Sequence, residues 1–250
     1  MSKLSNFILN AEKCGLPVGF MRVVNTGYTI DEGSDSDSNT ANTRTNTLSI
    51  RKSDLAMVGN NLSFAPPHDK ARALQPIYHE ATHAWFDLKE DDGDVKTIVR
   101  EGERYYENSP LEDKTVGDDP DRIFQEAAAS YVGHRIAAWW VTVDLMLSYV
   151  ADADADLKRG ATHRARVVTK LKELRRDYGT EMAKRVFGYQ EVGWPAFKKQ
   201  RETTRSIYPS LKDYCDRVLL ESKIPDQFDQ CPKATETWKV VLQTFPEVAR

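Results

Sequence analysis

Ile77-Tyr78-His79-Glu80-Ala81-Thr82-His83-Ala84-Trp85-Phe86-Asp87-Leu88 is the stretch on which the fold turns. Its spacing predicts a helix over about Asp69 to Leu88, entered after Pro66 and Pro67, with Pro76 either kinking it or marking its true first turn. At 3.6 residues per turn, His79 and His83 lie about 40° apart with about 6 Å of rise, so both imidazoles can reach one ion. Glu80, about 100° round from His79, can stand beside that ion without ligating it, as a general base for water attack requires. Ile77, Ala81, Ala84 and Leu88 fall on the opposite side, flanked by Tyr78 and Trp85. One face is thus expected to pack the core and the other to open on a cleft.

A catalytic zinc normally takes three protein ligands and keeps an open position, so two histidines ask for a third group. Glu126, near the start of the next strongly apolar segment, shares a helix face with Ser130, Gly133 and Ala137. Small side chains on that face would let the second helix approach the first closely. His134 competes for the role. It lies eight residues further on, about 12 Å along a continuous helix, so it and Glu126 cannot comfortably bind the same ion.

His79, Glu80, His83, Glu126 and Ala127 together resemble the pattern of the gluzincins, the thermolysin-like zinc metallopeptidases. In that group HExxH is followed by a second helix whose glutamate completes the site, and the 43-residue gap from His83 to Glu126 (126 − 83) is of a suitable size. The likeness covers about Thr45 to Ala138. It departs from the group at Gln125, where Asn is usual, and at Ser130, where an aspartate usually orients a ligand histidine. Phe86 and Lys89 stand where the metzincin pattern has its glycine and third histidine, which excludes that group.

The resemblance implies a zinc-dependent metallopeptidase, a hydrolase of peptide bonds acting through a zinc-activated water with Glu80 as general base. It implies Zn2+ held by His79, His83 and Glu126, and a protein or peptide substrate. The oxyanion would need a further donor, for which Tyr131, His134, His163 and Tyr178 are available. Two alternatives stay open: a zinc hydrolase of a non-peptide or cell-wall amide, including an exported effector, and a non-catalytic zincin-like binding protein.

The surrounding sequence sets the fold class as α+β and mostly helical: zincin-like, with a small N-terminal sheet, the motif helix, then a helical lobe. Phe20 to Ile30 and Thr45 to Arg51 carry β-type runs, the latter placed as an edge strand to which an extended peptide could add. Asp31 to Asn42 reads as a flexible hairpin connection. Asp87 to Arg122 is a polar, acidic insertion with a short helix near Val99 to Glu107. Helices are expected over Ile123 to Val150 (one or two), Ala161 to Phe187, Trp194 to Ser206, Leu211 to Ser222 and Thr235 to Gln243. Asp152 to Asp156 lacks the glycine and glutamate of a calcium loop and reads as a solvated turn. Residues 1–122 would hold the sheet, the HExxH helix and the insertion, and residues 123–250 the helical lobe with the third ligand, in one catalytic unit.

Composition narrows the class further. With 40% hydrophobic and 29% charged residues the chain is of ordinary globular type. A net charge of -3 gives no basic excess for nucleic acid or an anionic membrane surface. The longest apolar patch, Ile136 to Val150, is broken by Thr142 and Asp144, so no membrane span is expected. Met1 to Leu9 does not read as a secretory signal, which suggests a cytoplasmic protein or one exported without a classical signal peptide. Cys14, Cys215 and Cys231 read as reduced thiols, with a Cys215–Cys231 bridge as the extracellular alternative.

Overall fold

A computed structural model describes residues 3–13, 15–31, 39–59, 67–107, 120–176, 210–221 and 232–249. The chain is mostly helical with one small sheet. Helix α1 (Lys3–Lys13) buries Leu4, Phe7, Ile8 and Ala11, the three-and-four spacing of an amphipathic helix. It is closed by Gly15 at φ 79°, whose N–H reaches the Glu12 carbonyl while that of Leu16 reaches Ala11. This left-handed closure favours glycine, which has no Cβ to clash.

The next segment departs from expectation. Phe20 to Ile30 is not a strand but helix α2 (Gly19–Gly27), followed by strand β1 (Thr29–Asp31). Its β-branched residues suggested extended chain, but Phe20, Met21 and Val24 recur at helical spacing and all three are buried. Burial of that stripe overrides the weak strand preference of valine.

Strands β2 (Thr40–Asn42) and β3 (Thr47–Ser49) complete a sheet of order β1-β3-β2, with β1 parallel and β2 antiparallel to β3. The stretch Thr45 to Arg51 is therefore the middle of the sheet and not its edge. Its backbone is paired on both sides, so a peptide cannot add there. The strand at the edge beside the motif helix is β2, at the end of the stretch read as a hairpin connection.

Helix α3 (Lys52–Gly59) leads to α4 (Pro67–Leu88), which carries the motif. The helix begins with proline, whose missing N–H costs nothing at a helix start, and Pro76 lies within it. Ile77, Tyr78, Ala81, Ala84 and Trp85 are buried, while His79, Glu80 and His83 are half-buried. The core face is the one read from the sequence, but Thr82 and Phe86, on the side of the histidines, are buried as well. Phe20 packs against both Tyr78 and Trp85, and the Tyr78 hydroxyl donates to the Pro17 carbonyl at 2.8 Å.

The described part of the acidic insertion holds more helix than expected: helix α5 spans Gly93–Glu107, not only its second half. The Asp92 carboxylate accepts from the N–H groups of Asp94 and Val95 and caps its start. Helix α6 (Pro120–Ala151) is a single helix of 32 residues, about 48 Å long. The Asp-Ala repeat beyond it, read as a turn, forms the short helix α7 (Ala153–Lys158). Helix α8 (Ala161–Arg176) follows, then a helical stretch over 210–214 that widens into a π turn (Cys215–Leu219), and α9 (Pro232–Thr244). The expected helices over 177–187 and Trp194 to Ser206 lie outside the described residues, as do Cys14 and Cys231. Cys215 is a buried free thiol.

One continuous core joins the two halves of the chain: Phe7 and Phe20 share it with Trp139, Leu171 and Phe245. Among the described residues no helix is long and apolar enough to cross a membrane.

Candidate metal centre

The site forms where α4 meets α6. These helices approach so closely that a Cβ on Gly133 would lie 2.7 Å from the Gln75 carbonyl oxygen. The contact admits glycine alone without a shift of backbone, and it brings the start of α6 onto the polar face of α4. Glu126 then faces the two imidazoles, with its carboxylate oxygens 3.5 Å from His79 Nε2 and 3.6 Å from His83 Nε2. The two Nε2 atoms are 3.2 Å apart.

These distances distinguish two kinds of cluster. A charge-assisted hydrogen bond between imidazolium and carboxylate is about 2.7–2.9 Å long, which is shorter than either contact here. Two donors sharing one four-coordinate zinc, with bonds of about 2.0–2.1 Å at tetrahedral angles, stand about 3.3 Å apart. The two imidazole nitrogens, 3.2 Å apart, lie close to that value, and each has a different Glu126 oxygen at 3.5 or 3.6 Å. The residues present therefore fit a zinc ion, and His79, His83 and Glu126 could hold one metal. Neutral imidazole nitrogens and a carboxylate also match the ligand preferences of zinc.

The two imidazoles hold the Glu126 carboxyl far below the usual carboxylate range, against an opposing contribution from burial. Glu126 is thus ionised and available as a ligand. Glu80 is pushed up by burial, while His79, His83 and the Ala41 amide oppose the rise. His79 Nδ1 is buried and has no hydrogen-bond partner among the described residues.

His134 is not part of the group: among the described residues only His79, His83 and Glu126 converge. Tyr131, one of the proposed oxyanion donors, instead donates its hydroxyl to Asp216 at 2.6 Å. Tyr178 lies outside the described residues. One group absent from the sequence reading enters the site, the backbone N–H of Ala41, which donates to Glu80 Oε2 at 2.9 Å. Every residue but proline carries such a donor, so no sequence signal could have singled it out. Comparison with protein-family models, with curated proteins and with solved structures yields no match.

Proposed function

We propose that this chain is a zinc-dependent hydrolase of peptide bonds, with His79, His83 and Glu126 as metal ligands and Glu80 as general base. The observation that carries the reading is the convergence of one ligand atom each from His79, His83 and Glu126 within 4.8 Å of one another, beside Glu80, a fourth side chain that is a carboxylate but not part of the group. Zinc, when bound, supplies Lewis-acid chemistry: it makes water more acidic and polarises a carbonyl.

The remaining work falls to the chain's own groups. His79 and His83 would each offer a ring nitrogen, and Glu126 a carboxylate whose negative charge would offset part of the cation's. Glu80 has one oxygen engaged by Ala41 and the other available to take a proton from water and deliver it to the leaving nitrogen. Partial burial of this carboxylate favours its proton-accepting role, because desolvation makes it more basic.

Zinc analysis of protein purified without chelator, followed by titration of the apoprotein, is expected to give one ion per chain. Glu80→Gln should retain that ion and lose at least about a thousandfold in turnover on peptide substrates, the scale of a missing general base. Full activity in that variant would remove Glu80 from the mechanism. Stoichiometric zinc with hydrolysis only of non-peptide amides would replace the substrate class, and zinc without any turnover would leave a binding protein.

A further inference from the structure

We propose that the backbone amide of Ala41 is a positioning group for Glu80: it holds one carboxylate oxygen and leaves the other aimed at the reacting proton. The proposal rests on the reading of Glu80 as the general base. Its observation is the 2.9 Å hydrogen bond from the Ala41 N–H to Glu80 Oε2, which joins the sheet to the motif helix.

The amide is placed for this by the sheet. Ala41 lies opposite Leu48 in the antiparallel ladder between β2 and β3, flanked by the pairs Thr40–Ser49 and Asn42–Thr47. In such a ladder alternate pairs exchange both hydrogen bonds or neither. Since the Ala41 N–H is directed to Glu80, the Ala41–Leu48 pair is the one that exchanges neither, and the amide faces out from the sheet edge. An edge-strand N–H would ordinarily be left to water. Here it is aimed at a carboxylate one residue from a candidate ligand.

Both ends of β2 are pinned. Before it, the buried Asn39 side chain donates to Asp54 at 2.8 Å and accepts from the Arg51 amide at 2.6 Å. The Arg51 guanidinium in turn holds Asp54 at 2.9 Å. After β2, the Asn42 side chain accepts from the N–H groups of Arg44 and Thr45, closing the turn into β3. A glutamate on a helix has three side-chain torsions to settle. A donor fixed in a paired backbone restricts them without ordering a second side chain, so the aim of the free oxygen is set by the fold. A role in docking the sheet alone would alter stability but not the rate of proton transfer.

Two measurements test the proposal. In metal-free protein, amide exchange at Ala41 is expected to be about tenfold or more faster in Glu80→Ala than in the wild type, with the ladder amides of Thr40 and Asn42 unchanged. Equal rates would mean that Glu80 is not the partner of this amide and would overturn the proposal without reference to any activity.

In the zinc-loaded protein, Ala41→Pro removes the N–H without removing a ladder bond, and an ester in place of the Ala41 amide removes it with the side chain unchanged. Each is expected to lower kcat by about ten- to a hundredfold, with KM and zinc content within about twofold. Ala41→Gly keeps the donor and should stay within about threefold of wild type. Should Ala41→Pro fail to fold, the ester variant carries the measurement. An unchanged kcat in the folded ester variant, or an equal loss in Ala41→Gly, overturns the positioning role while leaving the hydrolase reading intact. Accelerated exchange in Glu80→Ala, together with a wild type that hydrolyses no amide, would instead overturn the hydrolase reading and with it any base to be positioned.

Discussion

Helix α6 carries two polar clusters on opposite sides, and they are built on different principles. Near its start, Glu126 faces two imidazole nitrogens at 3.5 and 3.6 Å, too long for strong hydrogen bonds. Nine residues on, about 180° round the helix, Arg135 meets Asp216, which also accepts from Tyr131 at 2.6 Å and from Lys212 at 2.7 Å. In the second cluster a phenol and a lysine hold one carboxylate at short hydrogen-bonding distance, and the Arg135 guanidinium stands 3.5 Å from it. The first brings two imidazole nitrogens and a carboxylate within 4.8 Å of one another, with His79 Nδ1 buried and without a hydrogen-bond partner among the described residues. The second cluster ties the π turn to α6. The cluster of His79, His83 and Glu126 could hold a metal ion.

That contrast is best broken by removing the central carboxylate of each cluster. Glu126→Ala should weaken zinc binding by on the order of a thousandfold, one ligand's share of a structural zinc affinity, while the melting temperature of the metal-free protein changes little. Competition with a chromophoric chelator measures the first and calorimetry the second. Near-normal affinity would show that the donors around Glu126 do not act as ligands.

Asp216→Ala should do the reverse. Tyr131, Lys212 and the 2%-exposed Arg135 all turn to this carboxylate, and removing it is expected to cost about 3 kcal/mol in chemical denaturation. Zinc affinity should stay within about threefold. A loss of zinc as deep as that of Glu126→Ala would mean the two clusters are one system.

The smallest effect is expected where the sides of the comparison meet, at the helix crossing. Gly133→Ala places a methyl 2.7 Å from the Gln75 carbonyl, so α4 and α6 must part. About 2 kcal/mol of stability should be lost to this overpacking. Roughly a tenfold drop in zinc affinity should accompany it, as Glu126 is drawn back from the imidazoles. Thermal melts and zinc titration of the same preparation would show both changes together, and stability loss without any change in affinity would uncouple the crossing from the site.

Much of the site was legible because helical phase is local. The His79–His83 spacing fixes which face is polar, and the small residues at Ser130 and Gly133 mark the face that α6 offers to α4. The sheet was less legible. Strand preference misplaced Phe20 to Ile30, since three buried residues at helical spacing outweigh the tendency of valine toward strands. It also put Thr45 to Arg51 at the edge, because strand order depends on which backbone the segment meets and not on its own side chains. Helix α5 was half-seen: Asp92, a good capping residue, was hidden among other acidic residues.

The sequence by itself determined the helical character of the chain, the shared face of His79 and His83, the offset of Glu80 from them, and the small-residue stripe leading to Glu126. These follow from 3.6 residues per turn and the size of side chains, which need no partner to be defined. Tertiary structure alone decided that Glu126 rather than His134 converges with the imidazoles, that Tyr131 is engaged by Asp216, and that the Ala41 amide holds Glu80. Each of these depends on atoms from segments far apart in the chain, brought together by one core, and the distance between them is a property of that packing rather than of either segment.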